Sequence, residues 1–186
     1  MINKQKYYLN NTLRLNFAGE RNASNMDLNG HAFYQYLRSR TFDISNHFNW
    51  TPAVKKGIIS INWYVNSYNN PQRLRIDTGL NADLLNEGLP FEAILQKAAT
   101  PTLFSHVYVS YMPRKALVSQ TYEVGYVQEE QDLNSTLSLL QSDATETVYK
   151  GDAGNALRWS RSRVYLNPVY RFGNNRWQLR LSLPLI

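Results

Sequence analysis

The sequence predicts an all-β chain of antiparallel strands, and three observations carry that expectation. Apolar and polar residues alternate with period two in seven separate segments, as in strands whose two faces meet different surroundings. No charged residue falls on the apolar side of any segment, whereas the opposite sides hold Arg14, Asp43, Glu123 and Arg180. Short and long connections between the segments alternate strictly along the chain.

The first segment sets Leu13, Leu15 and Phe17 against Arg14 and Asn16. In the second, Phe42, Ile44, Phe48 and Trp50 share a side with Asn46, opposite Asp43, Ser45, His47 and Asn49. The third opposes Ile59, Ile61, Trp63 and Val65 to Ser60, Asn62, Tyr64 and Asn66. The fourth opposes Val107, Val109 and Tyr111 to His106, Tyr108 and Ser110, and the fifth Tyr122, Val124 and Tyr126 to Thr121, Glu123 and Gly125. Val164, Leu166, Pro168 and Tyr170 form the apolar side of the sixth, against Tyr165, Asn167 and Val169. The last is the cleanest, with Trp177, Leu179, Leu181, Leu183 and Leu185 against Gln178, Arg180, Ser182 and Pro184.

Parity chosen by hydrophobicity does not test itself, and a dry protein core excludes charge as a bilayer does. The connections discriminate better. Tight links fall at Thr51 to Gly57, Met112 to Leu117 and Gly173 to Asn175; long ones fall at Glu20 to Gly30, Ser67 to Thr102 and Gln131 to Asn155. Short turns on one rim and long loops on the other are how an outer-membrane β-barrel is built. Trp50, Tyr111, Tyr122, Tyr170, Phe172 and Trp177 collect beside the tight links, where an interfacial aromatic girdle belongs. Within the longest loop, Asp83 to Glu87 and Pro90 to Ala99 have helix-compatible spacing and predict short helices.

Composition agrees. With 186 residues the chain is long enough for one domain, and no linker or repeat divides residues 1–186. Thirteen Tyr, four Trp and seven Phe sit beside 43% hydrophobic residues and a mean hydropathy of -0.47. The longest apolar stretches are a few residues, far short of the roughly 20 that a membrane-spanning helix needs, which excludes helical membrane proteins but not strands. The absence of Cys excludes disulfide and thiolate sites. A net charge of +6, without a run of like charge, predicts no nucleic-acid partner. No basic leader with an apolar stretch precedes the strands, so no export signal is expected within the chain.

Catalytic chemistry finds little support. His31, His47 and His106 lie far apart without metal-ligand spacing, and no nucleophile-elbow sequence presents a Ser. No cofactor, metal site or enzyme activity is expected. Glu129, Glu130 and Asp132 read as a solvated rim before a cation site, and 151–155 as a turn without the ligand periodicity of a calcium loop. Arg38 and Arg40 share the parity of the apolar side but lie beyond it. They meet lipopolysaccharide phosphates there, or belong to a solvated strand extension, or are turned away by a bulge before Phe42.

Four stretches carry a resemblance: Leu13 to Asn22 (LRLNFAGERN), Gly151 to Trp159 (GDAGNALRW), Asn167-Pro168 with Tyr170, and Asn175 to Leu185 (NRWQLRLSLPL). In their order and spacing the chain resembles the barrel region of TonB-dependent receptors of the Bacteroidota, over nearly its whole length. The resemblance implies a plugged outer-membrane barrel of about twenty-two strands that imports a large or scarce nutrient, such as a glycan or siderophore, energised through TonB. Its implied partners are the plug, the remaining barrel strands, TonB acting through the plug, outer-membrane lipid and lipopolysaccharide, and in some arrangements a surface lipoprotein. The plug, the TonB-contacting segment and a terminal aromatic are missing here, and seven is an odd count, so an open, truncated piece is expected.

On that reading Asp43, His47, Asn62, Tyr64, His106, Tyr108, Glu123 and Arg180 face the lumen, toward plug or substrate. Leu15, Phe17, Ile44, Phe48, Ile59, Ile61, Val107, Val109, Val124, Leu166, Leu179, Leu181 and Leu183 face lipid, and Trp50, Tyr111, Tyr122, Tyr170 and Trp177 form the girdle. One rival is a soluble β-sandwich module binding a carbohydrate or other ligand, its apolar faces buried against each other. Another is a small pore or adhesin barrel, with an eighth strand in Met1 to Asn10 or the outer loops.

Overall fold

The computed structural model describes residues 2–4, 7–28, 31–77, 91–113, 118–149, 154–173 and 178–185. These hold one antiparallel sheet of eleven strands and no helix. The strands are β1 (Ile2–Lys4), β2 (Tyr7–Leu28), β3 (His31–Val54), β4 (Gly57–Asn69), β5 (Gln72–Asp77), β6 (Ala93–Ala99), β7 (Thr102–Pro113), β8 (Ser119–Leu140), β9 (Glu146–Val148), β10 (Asn155–Gly173) and β11 (Gln178–Ser182). The main path runs β1-β2-β3-β4-β7-β8-β10-β11, and the seven alternating segments fall in seven different strands of that path, the last reaching past β11. The short β1 adds an eighth strand within the first ten residues, pairing Ile2 with Leu9.

Much of two of the long connections is strand. β2 and β3 stay paired without a register change from Tyr7↔Pro52 to Leu28↔His31, so Glu20 to Leu28 is strand. β8 likewise runs on to Leu140, and β9 turns back onto it. Alternation by hydrophobicity misses these extensions because Glu20 to Leu28 is mostly polar on both faces and the leucines of Gln131 to Leu140 are interrupted by Ser135 and doubled at Leu139-Leu140, while their backbone groups pair all the same.

The expected helix over Pro90 to Ala99 is also corrected, since Ala93–Ala99 is β6. Its backbone is held on both sides, by β5 and by β8, and Ala93 and Leu95 are fully buried, so tertiary pairing overrides a weak helical spacing. Pro90 and the other expected helix, at Asp83 to Glu87, lie outside the described residues. Of the tight links, Lys55 and Lys56 form the β3–β4 turn; residues 114–117 and 174–177 lie outside the described set.

β5 and β6 continue the lines of β4 and β7. Along β3 the register passes unchanged from Phe42↔Asn69 to Ser39↔Gln72, and along β8 from Thr102↔Gln131 to Ala99↔Asn134. Each line is interrupted beside a proline, Pro71 in one and Pro101 in the other. A proline has no N–H to give a neighbour, yet its carbonyl still accepts, as in Arg40 N to Pro71 O at 3.1 Å and Asp132 N to Pro101 O at 3.0 Å. The ladders thus break between the two lines while β3 and β8 hold the outer sides.

The register tests the parity of the segments independently. Residues directly opposite in an antiparallel pair share a face. Leu9, Trp50, Ile61, Val109, Val124 and Leu166 follow one another across six strands, and a bridge adds Leu185. Every apolar side therefore falls on one face of one sheet. That face is open: Phe17 is 65% exposed, Val124 52% and Leu179 59%. No second layer packs on it among the described residues, and the small buried cluster of Ala93, Leu95 and Leu140 lies beyond the stripe.

Candidate site on the polar face

The opposite face gathers its chemistry in three adjacent rows. One row reads Thr51, Ser60, Ser110, Glu123 and Asn167; the next Asn49, Asn62, Tyr108, Gly125 and Tyr165; the third His47, Tyr64, His106, Val127 and Arg163. Six of the eight expected lumen-facing residues, His47, Asn62, Tyr64, His106, Tyr108 and Glu123, meet in this patch. Asp43 stands apart, accepting a hydrogen bond from Asn66 Nδ2 at 2.6 Å. Arg180 lies on β11 opposite Arg171, away from the cluster.

Tyr165 ties the patch together, and it was not among the singled-out residues. Its hydroxyl donates to Glu123 Oε1 at 2.6 Å and lies 2.7 Å from His106 Nε2. The ring can lie there because position 125 is glycine: a Cβ would sit 2.5 Å from the Tyr165 ring. A lone glycine between Val124 and Tyr126 in an alternating strand signals such a close approach, so it was the available clue. His106 also packs on Tyr108 at 4.9 Å between ring centroids, and Phe104 packs on Tyr64 at 5.8 Å.

Beside this network, Asn49 Nδ2 donates to Asn62 Oδ1, and Thr51 Oγ1 lies 3.0 Å from Ser60 Oγ. Asn62 is buried with its amide oxygen so occupied. A hollow of about 330 Å³ is bounded by Phe104, His106, Arg163, Tyr165 and Asn167. Rings flanked by amide, imidazole and hydroxyl groups present flat apolar surface together with donors and acceptors. That suits packing against a polar protein surface or a hydroxyl-rich solute. Among the described residues no group of three His, Asp or Glu is placed to hold a metal ion.

On the apolar face Trp50, Tyr111, Tyr122 and Tyr170 lie toward the β3–β4 turn end; Tyr111 stands directly opposite Tyr122, whose ring meets Tyr170 edge-on at 6.5 Å. Trp177 lies outside the described residues. Of the acidic rim, Glu130 and Asp132 approach Arg158 at 3.5 and 3.7 Å. Neither a protein-family model nor a curated protein matches the sequence.

Proposed function

We propose that this chain is a stretch of the wall of an outer-membrane β-barrel, and that the intact protein is an importing receptor of the TonB-dependent kind. The observation that carries the reading is the slant of the exposed apolar band against the hydrogen-bond register. On β2 the band spans Leu9 to Phe17 and centres on Leu13, which the register carries across five strand steps to Ser162 of β10. On β10 the band spans Val164 to Phe172 and centres on Pro168, six residues from Ser162.

Six residues are about 20 Å along a strand, and five steps are about 24 Å across strands, so the band crosses the strands at about 40° to their perpendicular. Strands of outer-membrane barrels tilt by about 35–45° in a flat slab of hydrocarbon. Each stripe is about 26 Å long, reduced by that tilt to about 20 Å, near the roughly 25 Å apolar belt of such barrels. A sandwich core needs no such slant and would cover the band.

The polar patch around Tyr165 then faces the lumen, where it packs against a plug or meets the cargo. The nutrient class rests on the resemblance alone. The test is lipid-phase quenching of Trp63, which is 46% exposed in mid-band. With the other tryptophans replaced by Phe, the intact protein in vesicles of brominated phosphatidylcholine should lose most Trp63 emission and resist aqueous iodide. Strong iodide quenching with no effect of bromine would end the reading.

A further inference from the structure

Beyond the apolar band, the same face turns cationic in one place. The register of β3 runs without a bulge through Phe42, so Arg38 and Arg40 share the outward face of Phe42 and Ile44. Arg21, Arg38, Arg73 and Lys97 then stand directly opposite one another across β2, β3, β5 and β6. Like charges in directly opposed positions destabilise a sheet, and four in a row is an arrangement that a bound anion would relieve. Arg40 crowds the row further: with Arg21 it holds the Arg38 guanidinium below its ordinary value.

The five cations are not equivalent. Glu146 pairs with Arg73 at 2.9 Å and with Lys97, which settles the two farthest from the band. Arg21, Arg38 and Arg40, the three nearest it, have no carboxylate partner among the described residues. Arg40 and Arg38 lie two and four residues beyond Phe42, and Arg21 four beyond Phe17. At the inferred tilt that is about 5–10 Å above the last apolar residue, comparable with a headgroup layer of about 5–8 Å. The surface there is dished. A hollow of about 450 Å³ between Arg38 and Lys97 has Pro71 and Ala99 in its lining, and an adjoining one of about 560 Å³ runs from Arg40 down to Phe17 and Phe42.

We infer that Arg21, Arg38 and Arg40 form a docking site for the phosphate groups of a phosphorylated glycolipid of the outer leaflet, whose acyl chains lie against Phe17 and Phe42. This rests on the membrane reading above. Guanidinium forks match phosphate oxygens in pairs, and the apolar lower wall selects a lipid over a free anion.

The test uses the intact protein in detergent, with bisphosphorylated lipid A and its dephosphorylated counterpart as probes, read by native mass spectrometry. Arg21→Gln/Arg38→Gln/Arg40→Gln should weaken binding of the bisphosphorylated lipid about tenfold or more and leave the dephosphorylated one unchanged. Arg38→Lys/Arg40→Lys, which keeps the charge and the fold, should retain part of the affinity. Equal binding by the triple variant would overturn the site, as would displacement by inorganic phosphate at concentrations similar to the lipid's. Trp63 quenching in the same variants separates the two failures. If bromine still quenches while lipid A binding is indifferent to the arginines, only the docking site falls.

Discussion

Two regions of this sheet share strands, register and face, yet present opposite chemistry outward. Toward the β3–β4 turn the outward positions are Leu9, Trp50, Ile61, Val109, Val124 and Leu166; toward the other end they are Arg21, Arg38, Arg73 and Lys97. β2 and β3 pass through both regions without a bulge, and the lines broken at Pro71 and Pro101 resume in the same register. The boundary is therefore not a feature of the backbone. Hydrogen bonding asks only that strands continue, and what changes is the chemistry of the side chains on that face.

The largest expected effect breaks this comparison on a single strand. Leu166→Arg and Ser160→Arg place the same charge on the same face of β10, one within the band and one beyond it. In a bilayer the first should cost about 2–4 kcal/mol and the second under about 0.5 kcal/mol, read by denaturant unfolding of the vesicle-embedded protein. Equal small costs would mean that water bathes both regions.

A smaller effect sharpens the contrast between the two faces of the apolar region. Gly125→Ala pushes a methyl into the Tyr165 ring and should cost about 1–3 kcal/mol. In a Tyr165→Ala background the same change should cost little. A full penalty there would show that the ring is not what the glycine accommodates.

The smallest effect lies in the cationic region. Glu146 is held below its ordinary value, first by its hydrogen bond from Lys97 and then by the charges of Lys97 and Arg73, and Asp143 is held down by Thr145. A carboxylate with a lowered value in the folded chain stabilises it fully above the ordinary value and loses that contribution as pH falls through the lowered one. The β8–β9 turn should therefore loosen below about pH 4. Exposed pairs contribute less than about 1 kcal/mol, so the readout must be local. The cysteine-free chain allows a label at Val148→Cys, whose anisotropy should drop in acid and drop much less with Glu146→Gln.

Hydrophobic alternation located seven strands of the main path and assigned every described side chain of their apolar stripes to the face the register confirms. It succeeded there because Leu15, Val124 and Leu181 each stand between polar or glycine neighbours of the opposite parity, and the period of a strand sends the two sets to opposite faces. It failed where the alternation is absent or broken. Glu20 to Leu28 is mostly polar on both sides, the leucines of Gln131 to Leu140 are interrupted by Ser135 and fall on both sides at Leu139 and Leu140, and β6 carries Ala, Leu and Lys in an order that also suits a helix.

In the polar patch, six expected residues were legible from parity, since facing the same way is a local property. Tyr165 as the group joining Glu123 to His106 was not, because their meeting depends on which strands lie side by side and on the absence of a side chain at Gly125.

By itself the sequence determined that the chain is made of two-faced strands and which residues belong to each face, because the period of a strand is written residue by residue. Only the tertiary structure decided that all those faces join into one open sheet, that β5 and β6 extend older lines beyond Pro71 and Pro101, and that four cations align across four strands. Register between strands distant in the chain is set by hydrogen bonds and packing that no single segment contains.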